Sequence, residues 1–159
     1  MTDKAFRNAL GKFATGVCLV TVNDERSGRM AMTVNSFSSV SLEPPLVLWS
    51  LQNNSECFRE YTECTHFGIS ILNASQESLS NRYAQKGNHG IEPQDFITDD
   101  MGTPLVRNAC AQFSCKVHEI VAGGDHQIII GEVLGYATEE QDPLLFWCGA
   151  YDSLHSGSD

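Results

Sequence analysis

The chain has 159 residues, 42% of them apolar and 19% charged, and both figures are typical of one globular domain. Its formal net charge of −10 argues against nucleic acid as a partner, because binding to phosphates depends on lysine and arginine. Every apolar stretch is shorter than the roughly 20 residues that a membrane helix needs, so no membrane association is predicted.

We expect a single domain over residues 1–159, with a frayed tail at residues 155–159. Residues 1–8 contain no apolar segment of the signal-peptide kind, which favours a cytoplasmic location. The six cysteines are then expected to be reduced and buried. None of their spacings is typical of a zinc site, and the sequence predicts no metal.

The N-terminal third predicts one helix and then strands. Apolar residues at helical spacing indicate an amphipathic helix over residues 3–14, with Asp3 as its cap and Gly16 just past its end. Ser55 is expected to start a second, short helix that runs through Thr62. Strands are predicted at residues 17–22, 30–34 and 46–51. The last of these is continuously apolar, so we expect it to be buried.

The rest of the chain predicts mostly β structure. A helix is expected at residues 75–85, followed by a long loop at residues 86–103, and long ordered loops are often functional. Strands are predicted at residues 66–72, 109–121, 127–136 and 144–148. Residues 122–126 lie between two of these strands and predict a hairpin tip. The predicted fold class is mainly β with short helices, arranged as a barrel or a sandwich.

Residues 32–48 are the most informative segment. Six small polar side chains alternate there with apolar ones before a double proline: Thr33, Asn35, Ser36, Ser38, Ser39 and Ser41. Composition alone favours a serine-rich loop between two strands. The same neutral hydroxyls and amide also suit a polar, planar, phosphorylated ligand. No glycine-rich dinucleotide motif follows a strand, so a Rossmann cofactor site is not expected.

Several segments, in order along the chain, resemble the flavin reductase-like family, whose members supply reduced flavin to two-component monooxygenases. They are the helix-to-strand entry at residues 9–17, the polar segment at 32–48, the strand and helix at 67–80, the Gly-Thr-Pro-Leu at 102–105, the Gly-Asp-His hairpin at 124–133 and the closing Pro-Leu-Leu segment at 143–151. The resemblance implies a Greek-key, FMN-binding split β-barrel that works as a homodimer. It also implies FMN or FAD as the flavin, NADH or NADPH as the reductant and a monooxygenase component as the partner.

The resemblance places the flavin along two segments. Residues matching 33–39 lie along the isoalloxazine and ribityl chain in the family, and residues matching 50–55 help hold the phosphate end. The cofactor-binding residues expected on this basis are Thr33, Val34, Asn35, Ser36, Ser38, Ser39, Ser50, Leu51, Gln52 and Ser55. Among the basic side chains Arg59, Arg82 and Lys86, we favour Arg82 for the phosphate because it precedes the long loop. Each of these three is otherwise expected to be a solvated surface charge.

His126 and Tyr151 are the expected catalytic residues. The family places the histidine of Gly-Asp-His and the closing tyrosine where nicotinamide and flavin meet. His126 would orient the nicotinamide or relay a proton, and Tyr151 is equally compatible with core packing. His66, His89, His118 and His155 have no partner spacing and are expected to be structural.

The resemblance predicts reduction of free FMN or FAD by hydride transfer from nicotinamide C4 to flavin N5. A non-catalytic flavin carrier or sensor on the same barrel is the alternative. An oxidase related to the pyridoxamine-phosphate oxidases is a third reading. The sequence does not discriminate FMN from FAD or NADH from NADPH.

Overall fold

The computed structural model describes residues 2–154, so the tail expected at residues 155–159 lies outside the described residues. The helices are α1 (Asp3–Leu10), α2 (Phe58–Glu63) and α3 (Glu77–Tyr83), with one 3₁₀ turn at Pro93–Asp95. The strands are β1 (Thr15–Gly16), β2 (Cys18–Asp24), β3 (Gly28–Val34), β4 (Ser38–Leu42), β5 (Pro45–Gln52), β6 (His66–Ile71), β7 (Phe96–Thr98), β8 (Pro104–Val106), β9 (Ala111–Gly123), β10 (His126–Thr138), β11 (Leu144–Trp147) and β12 (Ala150–Ser153). The predicted fold class, mainly β with short helices, is confirmed.

Seven of these strands form one antiparallel sheet in the order β3-β2-β6-β9-β10-β5-β4. The ends of this sheet, β3 and β4, are consecutive in the chain and joined by residues 35–37. β1, β11 and β12 form a separate three-stranded sheet, and β7 pairs with β8. The predicted hairpin tip is confirmed, since β9 and β10 pair on either side of Gly124 and Asp125.

The interior of the large sheet is aromatic and tightly packed. Trp49 is fully buried and makes edge contacts with Tyr61 and Phe67. The Phe67 ring lies so close to Gly131 that a Cβ at this glycine would overlap it. Gly131 is therefore required by the packing of β10 against β6, because this core has no space for a side chain there.

Three predicted element boundaries were wrong. α1 ends at Leu10 because Gly11 already caps it, and Thr2 rather than Asp3 accepts the capping hydrogen bond, from Ala5 N–H at 3.3 Å. α2 begins at Phe58, and Ser55 precedes it in a turn. The polar segment that composition assigns to a loop contains β4, which pairs with β5.

Two predictions of burial were also wrong. β5 alternates between buried and partly exposed residues, because only one face of the sheet meets the aromatic core. Cys148 is exposed, since it lies at positive φ in the two-residue turn between β11 and β12. All six cysteines are free.

Candidate active site

A cleft of about 440 Å³ opens beside the ends of β3 and β5. One side, which we call the strand wall, consists of residues 32–36, 50 and 51. A second group of lining residues, the loop wall, consists of residues 83–86 and 89, which follow or end α3. Residue 52 at the end of β5 and the turn residues 54–56 make up a third group, which we call the floor, and His126 lines the cleft from the hairpin tip. This volume is within the range of about 300–1,000 Å³ that small-molecule sites occupy.

Hydroxyl groups of the strand wall and of the floor bind the protein itself. Ser36 Oγ accepts the Ser50 N–H at 2.9 Å and contacts the Ser50 carbonyl at 3.4 Å, which joins the β3–β4 connection to β5. Thr33 Oγ1 donates to the Ser80 carbonyl in α3 at 2.6 Å. Ser55 Oγ accepts the Cys57 N–H at 3.2 Å. These three hydroxyls therefore shape the cleft, and their capacity to bind a ligand is already partly used.

Carboxamide groups in the cleft are available to a ligand. Within the described residues, none of their side chains makes a hydrogen bond, and they come from both walls and the floor: Asn35, Gln52, Asn54 and Gln85. An amide both donates and accepts, so it can pair with a ring edge that carries alternating carbonyl and N–H groups. The cleft thus offers neutral, two-way hydrogen bonding beside the partly exposed apolar side chain of Val34.

The hairpin tip is attached to the floor of the cleft, and this contact positions His126. Asn53 N–H donates to the Asp125 carbonyl at 2.9 Å, and Asn53 Nδ2 donates to the Gly124 carbonyl at 3.2 Å. His126 pairs with Gln52 in the β5–β10 register, and its Nδ1 lies 2.7 Å from Asp125 Oδ1. This contact with His126 lowers the pKa of the Asp125 carboxyl below its usual value. The ring of His126 is thereby oriented by a carboxylate.

The loop wall is connected to the floor and to β3 by two side chains, Glu56 and His89. Glu56 Oε1 accepts hydrogen bonds from the Gly87 N–H and from His89 Nε2, the latter at 2.6 Å. His89 Nδ1 lies 3.1 Å from the Ala31 carbonyl. The hydrogen bond from Gly87, followed by that from His89, lowers the pKa of the Glu56 carboxyl.

Lys86 is the only lysine or arginine among the described residues that line the cleft. Arg82, the cation favoured from the sequence, does not line it: Arg82 forms an ion pair with Glu92 at 2.9 Å and donates to the Gly90 carbonyl at 3.2 Å. Arg59 pairs with Asp24 and Glu60 on another part of the surface. A cation for an anionic ligand in the cleft is therefore supplied by the long loop.

Tyr151 lines a second, more apolar cavity of about 210 Å³. Its hydroxyl lies 2.6 Å from Ser80 Oγ, and its ring makes an edge contact with Phe146. The two cavities share residues 33–35 and Ala84, while His126 lines only the first and Tyr151 only the second. The structure does not bring these two residues together in one cavity.

The structure brings nine of the expected site residues to the first cleft: Thr33, Val34, Asn35, Ser36, Ser50, Leu51, Gln52, Ser55 and His126. Ser38, Ser39 and Arg82 line neither cavity. Sequence reasoning missed Glu56, and it treated His89 as structural. Both belong to non-periodic segments, and the one available signal was the length of the loop after α3.

The residues the structure describes contain no group of three His, Cys, Asp or Glu side chains suited to a metal ion, and no helix among them is long and apolar enough to cross a membrane.

Comparison with known proteins identifies the family. A family model described as a flavin reductase like domain matches residues 10–155. The FMN reductase (NADH) SmoA of Agrobacterium fabrum is 45% identical over 149 residues, which cover 94% of this chain and 84% of that protein. The chain spans about half the length, 48%, of two other relatives.

Solved structures agree with this result. The NADH:FAD oxidoreductase SgcE6 of Streptomyces globisporus, in complex with NAD and FAD fragments, matches with a TM-score of 0.91 and 33% identity over 99% of this chain and 96% of that one. The styrene monooxygenase flavin reductase SMOB of Pseudomonas putida matches with a TM-score of 0.85 and 33% identity over 96% and 99%. These matches confirm the split β-barrel. The chain belongs to the flavin reductase-like family.

Proposed function

We propose that the protein is an NAD(P)H-dependent flavin reductase that reduces FMN or FAD and releases the product to a partner monooxygenase. The observation that carries this proposal is the cleft, whose carboxamide side chains make no hydrogen bond within the described residues, in a chain of the flavin reductase-like family. These carboxamides can bind and orient a planar polar ring, and none of them is a nucleophile. The reaction needs none, because hydride passes from nicotinamide C4 to flavin N5 and the two cofactors carry the reactivity.

The residues present fit a flavin. Asn35 and Gln52 can donate to and accept from the pyrimidine edge of the ring system, and the partly exposed Val34 can pack against a face of it. The Leu51 side chain is 1% exposed and packs in the core. Thr33 and the Ser36–Ser50 contact fix the strand wall, and Ser55 fixes the floor through its contact with Cys57. Ser38, Ser39 and Arg82 lie outside the cleft, so we assign them no direct contact.

His126 is proposed to orient the nicotinamide at the open side of the cleft. Its Nδ1 faces Asp125, which leaves Nε2 for a ligand, and the Asn53 contacts fix the hairpin tip. Tyr151 is proposed to act indirectly: it contacts Ser80, whose carbonyl accepts the Thr33 hydroxyl, so it supports the strand wall from the second cavity.

The test is an assay with purified protein, NADH or NADPH, and FMN or FAD, followed through the loss of absorbance at the nicotinamide band. Oxidation well above the uncatalysed rate is expected with at least one pair. A protein that retains flavin tightly and oxidises neither nicotinamide would instead be the flavin carrier or sensor. The replacement His126→Asn should lower kcat/KM for the nicotinamide while leaving flavin binding in place.

The remaining proposals concern partners and location. We propose a homodimer, because the apolar side chains of Phe6, Leu10 and Phe13 are 48%, 58% and 80% exposed and α1 buries none of its residues. SMOB, the styrene monooxygenase flavin reductase of Pseudomonas putida, supports a monooxygenase partner here. The six free thiols support a cytoplasmic location. Light scattering at defined concentration tests the dimer directly.

A further inference from the structure

The pairing of His89 is unusual, because both of its ring nitrogens face hydrogen-bond acceptors. Nε2 lies 2.6 Å from the Glu56 carboxylate, and Nδ1 lies 3.1 Å from the Ala31 carbonyl. A carbonyl and an ionised carboxylate only accept, so both contacts are hydrogen bonds only when the imidazole carries both protons. The side chain is 11% exposed, so the ring lies in a largely enclosed position.

The segment around His89 is held at two places. The Ala31 N–H donates to the His89 carbonyl at 2.8 Å, and Met30 forms a bridge with Gly90, so β3 holds residues 89 and 90. Glu56 holds Gly87 by accepting its N–H. Gly87 itself has φ of +72°, a conformation that favours glycine and turns the chain directly after Lys86.

Lys86 is the residue whose position these contacts determine. It lines the cleft one residue before Gly87, and its ammonium makes no hydrogen bond or ion pair within the described residues. The chain carries a net charge of −10, so a phosphate entering this cleft must be held by local donors. An ammonium held at a fixed place binds a phosphate at a smaller entropic cost than one on a mobile loop.

We propose that Glu56 and His89 are positioning residues that form a latch and hold Lys86 at the cleft for the phosphate of FMN. The inference rests on the proposed function, since it names the phosphorylated flavin as ligand. The loop wall would then be the part of the cleft that gives phosphorylated flavin a higher affinity than unphosphorylated flavin.

Charged and polar groups surround His89 on several sides. Glu56 faces it from the floor, Lys86 lies on its own loop, and β3 presents the Ala31 carbonyl. The Arg82–Glu92 ion pair adjoins Gly90, and His126 lies in the same cleft. The hydrogen bonds that lower the pKa of the Glu56 carboxyl favour its ionised form, which is the form that accepts from both Gly87 and His89.

The experiment measures the dissociation constants of FMN and of riboflavin, which lacks the phosphate, by titration of flavin fluorescence. The variants are Lys86→Met, Glu56→Gln and His89→Gln, with Glu63→Gln as the matched control. Glu63 is a 65% exposed carboxylate outside the cleft, 3.9 Å from Arg59. Thermal unfolding checks that every variant is folded. Binding is measured without nicotinamide, so the result does not depend on turnover.

Wild type should bind FMN more tightly than riboflavin, and Lys86→Met should remove about a tenfold preference, the size of one charge-assisted hydrogen bond. Glu56→Gln and His89→Gln should each remove much of the same preference and leave riboflavin binding nearly unchanged. In double variants with Lys86→Met, they should cause little further loss of FMN preference. Glu63→Gln should match wild type.

Equal affinity of wild type for the two flavins, or a wild-type preference for FMN in both Glu56→Gln and His89→Gln, would overturn the latch. Tight FMN binding without NADH oxidation would instead reject the proposed activity and leave the latch standing.

Discussion

The strand wall and the loop wall of the cleft are held in place by different contacts. The strand wall belongs to the seven-stranded sheet, and Ser36 links its β3–β4 connection to Ser50 of β5. The loop wall begins in the core at Tyr83, and beyond it is held by the side chains of Glu56 and His89 together with the backbone contact of His89 with Ala31. A wall made of sheet keeps one geometry, whereas a wall joined by a few side chains can be released locally. We therefore expect the strand wall to orient the flavin ring and the loop wall to bind the phosphate.

The largest expected effect is on stability, at the root of the loop wall. Tyr83 is fully buried, packs edge-on against Phe96 and accepts the Glu92 N–H at 3.1 Å. Tyr83→Ala should lower the free energy of unfolding by about 3–5 kcal/mol, because it leaves a cavity in the core. Tyr83→Phe keeps the ring and should cost only about 1 kcal/mol. Urea denaturation measures both, and similar losses would show that the ring does not anchor this wall.

Ser36 is the corresponding test of the strand wall. Ser36→Ala leaves the Ser50 N–H without its acceptor, which should cost about 1–3 kcal/mol of unfolding free energy. Because the whole wall shifts, the dissociation constants of FMN and riboflavin should rise together. Ser36→Thr retains the hydroxyl and serves as the comparison. A loss confined to FMN would contradict the division between the walls.

Asn35 separates binding from stability. Its amide is exposed and makes no hydrogen bond within the described residues, so Asn35→Ala should change the unfolding free energy by less than about 0.5 kcal/mol. Loss of its contact with the ring edge should weaken FMN and riboflavin about equally, by roughly tenfold. Unchanged affinity for both flavins would remove Asn35 from the site.

Ser39 should give the smallest effect. The resemblance places it along the flavin, whereas the structure places it exposed on β4 and outside both cavities. Ser39→Ala should therefore change FMN affinity less than about twofold and stability by less than about 0.5 kcal/mol. A tenfold loss of affinity would mean that the flavin extends past the strand wall.

The strand wall could be predicted from the sequence because its residues occupy a short, continuous segment whose pattern is shared with the family. Asn35 and Ser36 follow a strand whose β-branched and apolar residues identify it. The loop wall could not be predicted, because contacts distant in sequence determine its position. His89 meets Ala31 and Glu56, 58 and 33 residues away, and no periodicity signals such contacts.

Burial was predictable only where periodicity is strong. Leu51 and Trp49 alternate with less buried neighbours in β5, although its apolar run predicted burial throughout. The short strands β1, β7, β8 and β12 were missed, since each pairs with one neighbour and carries little pattern of its own. β7 lies within residues 86–103, which were predicted to be a loop throughout. Tyr151 belongs to β12, so the sequence did not predict that it lines a different cavity from His126.

A crystal structure of the protein with FMN tests the account most directly. The ring edge should lie within hydrogen-bond distance of Asn35 or Gln52, and the phosphate should lie beside Lys86 with the contacts of Glu56 to Gly87 and His89 intact. A phosphate held instead by Arg82, or a flavin seated in the cavity of Tyr151, would contradict the proposed roles of the two walls.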